Sequence, residues 1–354
     1  TSKCQCRNAR QVHTSGKWFL YRMNVSVITS DSKVWNIEEV YSKITEAMVT
    51  DQDIKIDLNN EGPDISATVL EKYIMYCANI YNYDPKRISI KTANQVQKHN
   101  IFFIEKTAPL NLVINARDYA YNYTKDVKKH FGIFIGRSNG PRLDLASYIY
   151  NAFHNESYVT YHYSLSSEYH RNNIGLEEIV TDFNQIDVIV PARFLKQCPI
   201  VDSTIEPVKH TDQNPAQQLL KNDHDTFLTR YCNFLVEIVC ETCYNGNTFF
   251  PTEKTWRPIL LETPFIVQGP QWFLHRLRDL GFQTFSRWWD EGYSEDPANW
   301  QNIEIKKVID SIGKLTVEQL QEMYTEMKPV LAHNKKRFME LTSKDFKIFE
   351  NDRY

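Results

Sequence analysis

Apolar residues recur along this chain with two periods, and the switching between them sets out the expected elements. Trp18 to Ile28 carries apolar positions fit for a strand, and Asn36 can cap a helix from Ile37 to about Met48. The run Asp53-Ile-Lys-Ile-Asp-Leu alternates as a strand does. Glu61-Gly-Pro-Asp breaks it, Ser66 is a candidate N-cap, and a helix is predicted to about Tyr81. Arg87-Ile-Ser-Ile-Lys and Asn111-Leu-Val-Ile-Asn are further strand candidates.

The rhythm restarts at Phe131-Gly-Ile-Phe-Ile-Gly, an apolar strand followed by the loop GRSNGPR, Gly136 to Arg142. Pro141 can open the next helix, which Leu145, Tyr148 and Ile149 make amphipathic. Ser157 to Tyr163 and Asp187 to Val190 read as strands, and 191–214 as a long polar excursion. Helix and strand then alternate again: Thr226 to Tyr231, Phe234 to Val239, Thr252 to Glu262, Pro264 to Val267. Gln271 to Leu280 reads as a helix stopped by Gly281, and Val317 onward as one or two long helices. Strands alternating with helices imply parallel sheets covered on both faces. The expected fold is therefore α/β, with two Rossmann-like domains facing a cleft. The polar run around Lys125 is the seam between residues 1–125 and 126–325. The final helix, 326–354, is expected to return to the first domain.

Composition narrows the class. The chain has 354 residues, 42% hydrophobic and 24% charged, as two ordinary folded domains would have. A net charge of -3 gives no global attraction to nucleic acid or anionic membrane. No run approaches the ~20 apolar residues of a membrane span. Thr1 to Arg10 is polar and basic, so no signal peptide is expected, and the missing initiator Met leaves room for residues ahead of it. Seven cysteines, an odd number, suggest a reducing, cytoplasmic setting. Cys4 and Cys6 with Cys240 and Cys243 have the residue types for zinc, but Cys240 follows the apolar run FLVEIV and is more simply a small core residue.

Two loops combine a strand end, a helix start and positive charge. In GRSNGPR, Arg137 and Arg142 flank a helix N-terminus, whose free N–H groups favour an anion. In the second, Thr252 can cap a helix whose first turn holds Glu253 and Lys254. Lys254 opposes the helix dipole there unless an anion is shared between them. Both loops follow strands, so both can face one crevice at the carboxyl ends of a sheet.

The segment Phe234 to Gly269 resembles the donor-binding region of GT-B glycosyltransferases of the fucosyltransferase and exostosin-like type. The matching pieces are Glu241, Thr252-Glu253-Lys254 and the strand Pro264-Phe265-Ile266-Val267, with Arg137 or Arg142 as the basic residue after the first strand of the donor domain. Where the fucosyltransferases carry Asn-Ser after the acidic residue, this chain has Thr242-Cys243. The resemblance implies a GT-B-like fold and a hexosyl- or pentosyltransferase that takes its sugar from a nucleotide-diphosphate sugar, a co-substrate rather than a cofactor. It also implies that no metal is needed: Lys254 and Arg137 or Arg142 would neutralise the leaving diphosphate, and Glu241 or Glu253 would accept hydrogen bonds from sugar or ribose hydroxyls. No Asp-x-Asp motif ends a strand; Asp51-Gln-Asp53 precedes one. A base for the acceptor hydroxyl is expected from the other domain, where the turn NNEGPD offers Glu61, with Asp64 in reserve. Arg257, one turn into the helix, is expected to support Glu241 or Glu253. Trp288, Trp289 and Tyr293 in FSRWWDEGY have rings to stack on a sugar, but such a cluster more often packs a helix onto its domain. The acceptor is open among glycan, lipid-linked and nucleic-acid hydroxyls. Short basic patches at Lys125 to His130 and Asn334 to Arg337 keep a nucleic-acid-binding or DNA-modifying alternative in view.

Overall fold

The computed structural model describes residues 25–28, 37–58, 62–67, 69–109, 124–135, 140–161, 231–244 and 246–351. The predictions at 18–24, 111–115, 187–190 and 191–214, and most of the helix at 226–231, lie outside them. Among the described residues the fold is α/β, with two four-stranded sheets whose neighbouring strands all run parallel.

The first sheet has the order β1 (Val25–Ile28), β2 (Ile54–Asp57), β3 (Ile88–Thr92), β4 (Phe103–Lys106). Helices α1 (Ile37–Val49) and α2 (Val69–Tyr81) supply Ile44, Leu70 and Ile74 to the core against Ile54, Ile56, Ile88 and Ile90. The intervening strand positions are polar and pair sideways: Lys91 donates to Asp57 at 3.0 Å and Lys55 to Glu105 at 3.2 Å. Ser66 does not cap α2. It lies inside a short 3-10 turn, because the Asp64 carboxylate already accepts its N–H at 3.0 Å. β4 escaped the sequence pattern because an edge strand that is only half-buried needs no apolar alternation.

The second sheet has the order β6 (Ser157–Tyr161), β5 (Lys129–Ile135), β7 (Phe234–Cys240), β8 (Phe265–Gln268). Every residue of β7 is buried, as in a strand covered on both faces. Phe131 of β5 packs edge-on against Phe153 of α3 (Gly140–Phe153), while Phe134 lies under Arg257 of α4 (Glu253–Leu260). The two helices thus cover opposite faces. Gly281 ends α5 (Phe273–Asp279) with φ 88°, as the sequence predicts. Helix α6 (Ala298–Ile312) was not anticipated, although Ile305, Val308, Ile309 and Ile312 carry helical spacing and are buried.

Residues 326–354, expected to return to the first domain, have contacts with both sheets. Helix α7 runs unbroken from Val317 to Glu340, through residue 326, and packs on α4, β5 and β7 of the second sheet. Its buried stripe, Leu320, Met327, Leu331 and Phe338, joins the core of that sheet. Past the helix, the Phe349 carbonyl comes within 3.5 Å of the Lys106 ammonium of β4.

Candidate functional site

The second sheet changes direction at β5. The chain leaves β5 through α3 for β6 on one side, and β7 pairs with the other side. Ligands of open α/β sheets sit at the carboxyl ends of strands at such a point. Both charged loops begin there, one after β5 and one after β7.

Thr252 caps α4 from an extended backbone conformation, its Oγ1 accepting the Lys254 N–H at 3.3 Å. The cap is held by Glu241, one residue beyond β7 and 0% exposed. One carboxylate oxygen accepts the Thr252 N–H at 3.0 Å and the Thr255 hydroxyl; the other accepts the Thr252 hydroxyl at 2.6 Å and the Thr242 N–H at 3.2 Å. A carboxylate so enclosed organises the helix start. Ile259, Leu260 and Leu261 anchor the other end in the core.

Lys254 keeps 20% of its side chain exposed and donates to Glu253 at 2.6 Å and to Thr242 Oγ1 at 3.0 Å. Burial alone would raise the Glu253 carboxyl, but the charge and hydrogen bond of Lys254 outweigh it and hold it below its ordinary range. Arg142, on the first turn of α3, is 4% exposed and donates to the Glu241 carbonyl at 2.8 Å. The first turn of α3 and the start of α4 therefore meet at Glu241. Arg137 lies outside the described residues.

The Arg257 charge helps hold the Glu253 carboxyl below its ordinary range. Its guanidinium pairs with Glu237 in the middle of β7, whose carboxylate also accepts the Tyr231 hydroxyl. One helical turn carries Arg257 from the helix start toward the buried middle of β7. Glu237 was the missed residue, and the signal for it was a lone acid inside FLVEIVC.

Of the proposed bases, Glu61 lies outside the described residues. Asp64 is half-buried and accepts the Asn247 N–H, from the loop after β7, at 2.7 Å. That approach requires glycine on both sides: a Cβ on Gly246, at φ 73°, would stand 2.5 Å from Asp64 Oδ2, and one on Gly62 would stand 2.5 Å from Phe250 Cβ. Beside it, Asn94 at the end of β3 accepts the Phe249 N–H at 2.9 Å and donates to the Asn247 carbonyl at 3.0 Å. Arg276 holds the same loop from below, through the Thr248 carbonyl at 3.2 Å and Asn247 Oδ1 at 2.8 Å. Loops at the carboxyl ends of the two sheets thus touch directly.

The other sequence candidates have structural partners. Asp51 and Asp53 both pair with Arg87, and no cluster of acidic, histidine or cysteine side chains arranged for a metal occurs among the described residues. Cys240 and Cys243 are in no disulfide among the described residues, and burial pushes Cys240 up to about 12; Cys4 and Cys6 lie outside the described residues. Phe285, Trp289 and Tyr293 are core residues. In the basic patches, Lys128 pairs with Asp126, Lys335 with Glu262 and Arg337 with Asp345.

No family model matches this sequence, and no curated protein matches it. Among solved structures, a spinosyn rhamnosyltransferase, SpnG, is similar over 93% of this chain and 73% of its own, with 10% sequence identity and a TM-score of 0.35. At that score the likeness is too loose to place any residue of one chain on the other.

Proposed function

We propose that this protein is a glycosyltransferase that takes a sugar from a nucleotide-diphosphate donor, without a metal, and delivers it to an acceptor hydroxyl. One observation carries the reading: Arg142 from the loop after β5 and the helix start bearing Lys254 are joined through Glu241 at the point where the parallel sheet reverses. The resemblance of residues 234–269 to GT-B donor-binding regions points the same way.

In this reading Glu241 is a positioning residue. It fixes the N-terminus of α4, so that Lys254 and the helix N–H groups present one positive face. Glu253 pairs with Lys254 and gives it up to the diphosphate, turning to a hydroxyl of the ribose or sugar. Glu61 takes the proton from the acceptor hydroxyl. That oxygen forms a bond to the anomeric carbon, while the bond from this carbon to the diphosphate breaks and leaves its electron pair on the diphosphate. Charge grows on the leaving group during the step, so the fixed cations Lys254 and Arg142 or Arg137 favour the transition state over the ground state.

Lys254→Ala tests the clamp. It should remain folded by circular dichroism and bind nucleoside diphosphates tens of fold more weakly by calorimetry, since a charge-assisted contact contributes about 1.5–3 kcal/mol. Equal binding by the folded variant would refute the reading. Glu61→Gln should bind the donor as the wild type does and turn over more slowly.

A further inference from the structure

Gln268, the last residue of β8, is 0% exposed, yet among the described residues neither its amide oxygen nor its amide nitrogen has a hydrogen-bond partner. Buried carboxamides are almost always satisfied, and an unmet pair of polar atoms inside a protein is costly. The register places this side chain. Gln268 pairs with Cys240, and the alternation puts both on the face opposite Glu237 and Val239, the face that Phe131 shares with α3. Cys240 lies within the electrostatic reach of Arg142 at the start of α3. On the same side, α6 brings Gln301 to the Gly269 N–H at 3.2 Å and Asn302 to the Pro141 carbonyl at 2.9 Å. Asn302 is 8% exposed, and its Oδ1 is also without a partner. Unspent polar atoms from two elements therefore gather beside the N-terminus of α3, a 14-residue helix, next to the proposed diphosphate clamp.

We propose that Gln268, with Asn302 beside it, is a specificity-determining residue of the donor site that binds an uncharged group offering both an acceptor and a donor. Two parts of a nucleotide sugar have that chemistry, the imide edge of a base and a sugar hydroxyl. A carboxamide complements either one, because it has an acceptor and donors side by side. A ligand that hydrogen-bonds the carboxamide would relieve the cost of its unmet polar atoms. This rests on the nucleotide-sugar reading above.

The test is Gln268→Met, which keeps the length of the side chain and removes both polar atoms. Calorimetry with pyrophosphate, UDP, GDP, CDP, ADP and UDP-glucose is run on the full chain, wild type and variant, together with a thermal melt. The expected result is a melting temperature equal to or above the wild type, unchanged affinity for pyrophosphate, and affinity for the preferred nucleotide about tenfold weaker or more. Loss already seen with the nucleoside diphosphate assigns the contact to the nucleoside; loss seen only with UDP-glucose assigns it to the sugar. If the wild type binds nucleotides and the variant binds them equally well, the inference is overturned while the clamp stands. A variant that melts lower and binds normally also overturns it, since the carboxamide then serves a buried water or the fold. If the wild type binds none of the nucleotides, the clamp fails and this inference fails with it.

Discussion

Replacing Glu241 by Gln probes the joint on which the site depends. The carboxylate accepts four hydrogen bonds, from Thr252 N, Thr252 Oγ1, Thr255 Oγ1 and Thr242 N. Two of those donors are main-chain N–H groups that cannot turn away. Glutamine keeps one oxygen, which can retain Thr252 N and Thr255 Oγ1. Its amide NH2 then faces the Thr242 N–H, donor against donor. Bonds to a charged acceptor contribute about 1.5–3 kcal/mol and neutral ones about 0.5–1.5, so the bonds that survive each weaken by roughly 1 kcal/mol. The Thr242 N–H is left without an acceptor at a cost of about 1–3 kcal/mol. Relief of the buried charge offsets part of this. The net expectation is a loss of about 2–4 kcal/mol, a large share of the 5–15 kcal/mol typical of a folded protein. Urea denaturation followed by tryptophan fluorescence reads it, since Trp256 is buried within the same helix. Thr255→Val supplies a double-mutant cycle, and its coupling with Glu241→Gln should fall at about 0.5–3 kcal/mol. A midpoint shift within about 0.5 kcal/mol of the wild type, the range of an idle surface change, would refute the claim that Glu241 organises the helix start. Strict additivity in the cycle would refute it equally.

Two further predictions concern pH. The Lys125 ammonium lies 4.8 Å from the Phe234 ring centre and donates to Thr263 Oγ1 at 2.7 Å, and burial lowers it from 10.5 to about 7. Between those values the unfolded chain holds more protons than the folded one, so stability should climb with pH there, and Lys125→Met should flatten the climb in urea midpoints measured from about pH 7 to 9; a variant with the wild-type slope would contradict this. For Asp345, burial would raise the carboxyl, but the Thr342 hydroxyl, Arg337 and the Thr342 N–H bring it down from 3.8 to about 2. Its contribution is present in full above the unfolded value and is lost as pH falls through the folded one, so the melting-temperature gap between wild type and Asp345→Asn should be open at about pH 5 and closed near pH 2; a gap that persists in acid would count against the pairing.

Sequence by itself determined what depends on local period and local chemistry. The 3.6- and 2-residue rhythms located α1, α3 and α4 and the strands β2, β3, β5, β7 and β8, because each element must bury one face or stripe wherever it packs. Thr252 was legible as a cap, since an N-cap bond closes within three residues. Tertiary structure alone decided which side chains meet. Arg257 was read with the acids near it in sequence, and it pairs instead with Glu237, 20 positions away, because a helix and the strand it covers slide to whatever register packs best. Gln268 carries no local signal, as its oddity lies in what surrounds it. Asn94 reaches Phe249 across 155 positions, an approach set by how the two sheets bring their strand ends together. The partner of α7 was decided the same way: its apolar stripe is visible in the sequence, but a stripe states only that a partner exists, and α4, β5 and β7 are that partner.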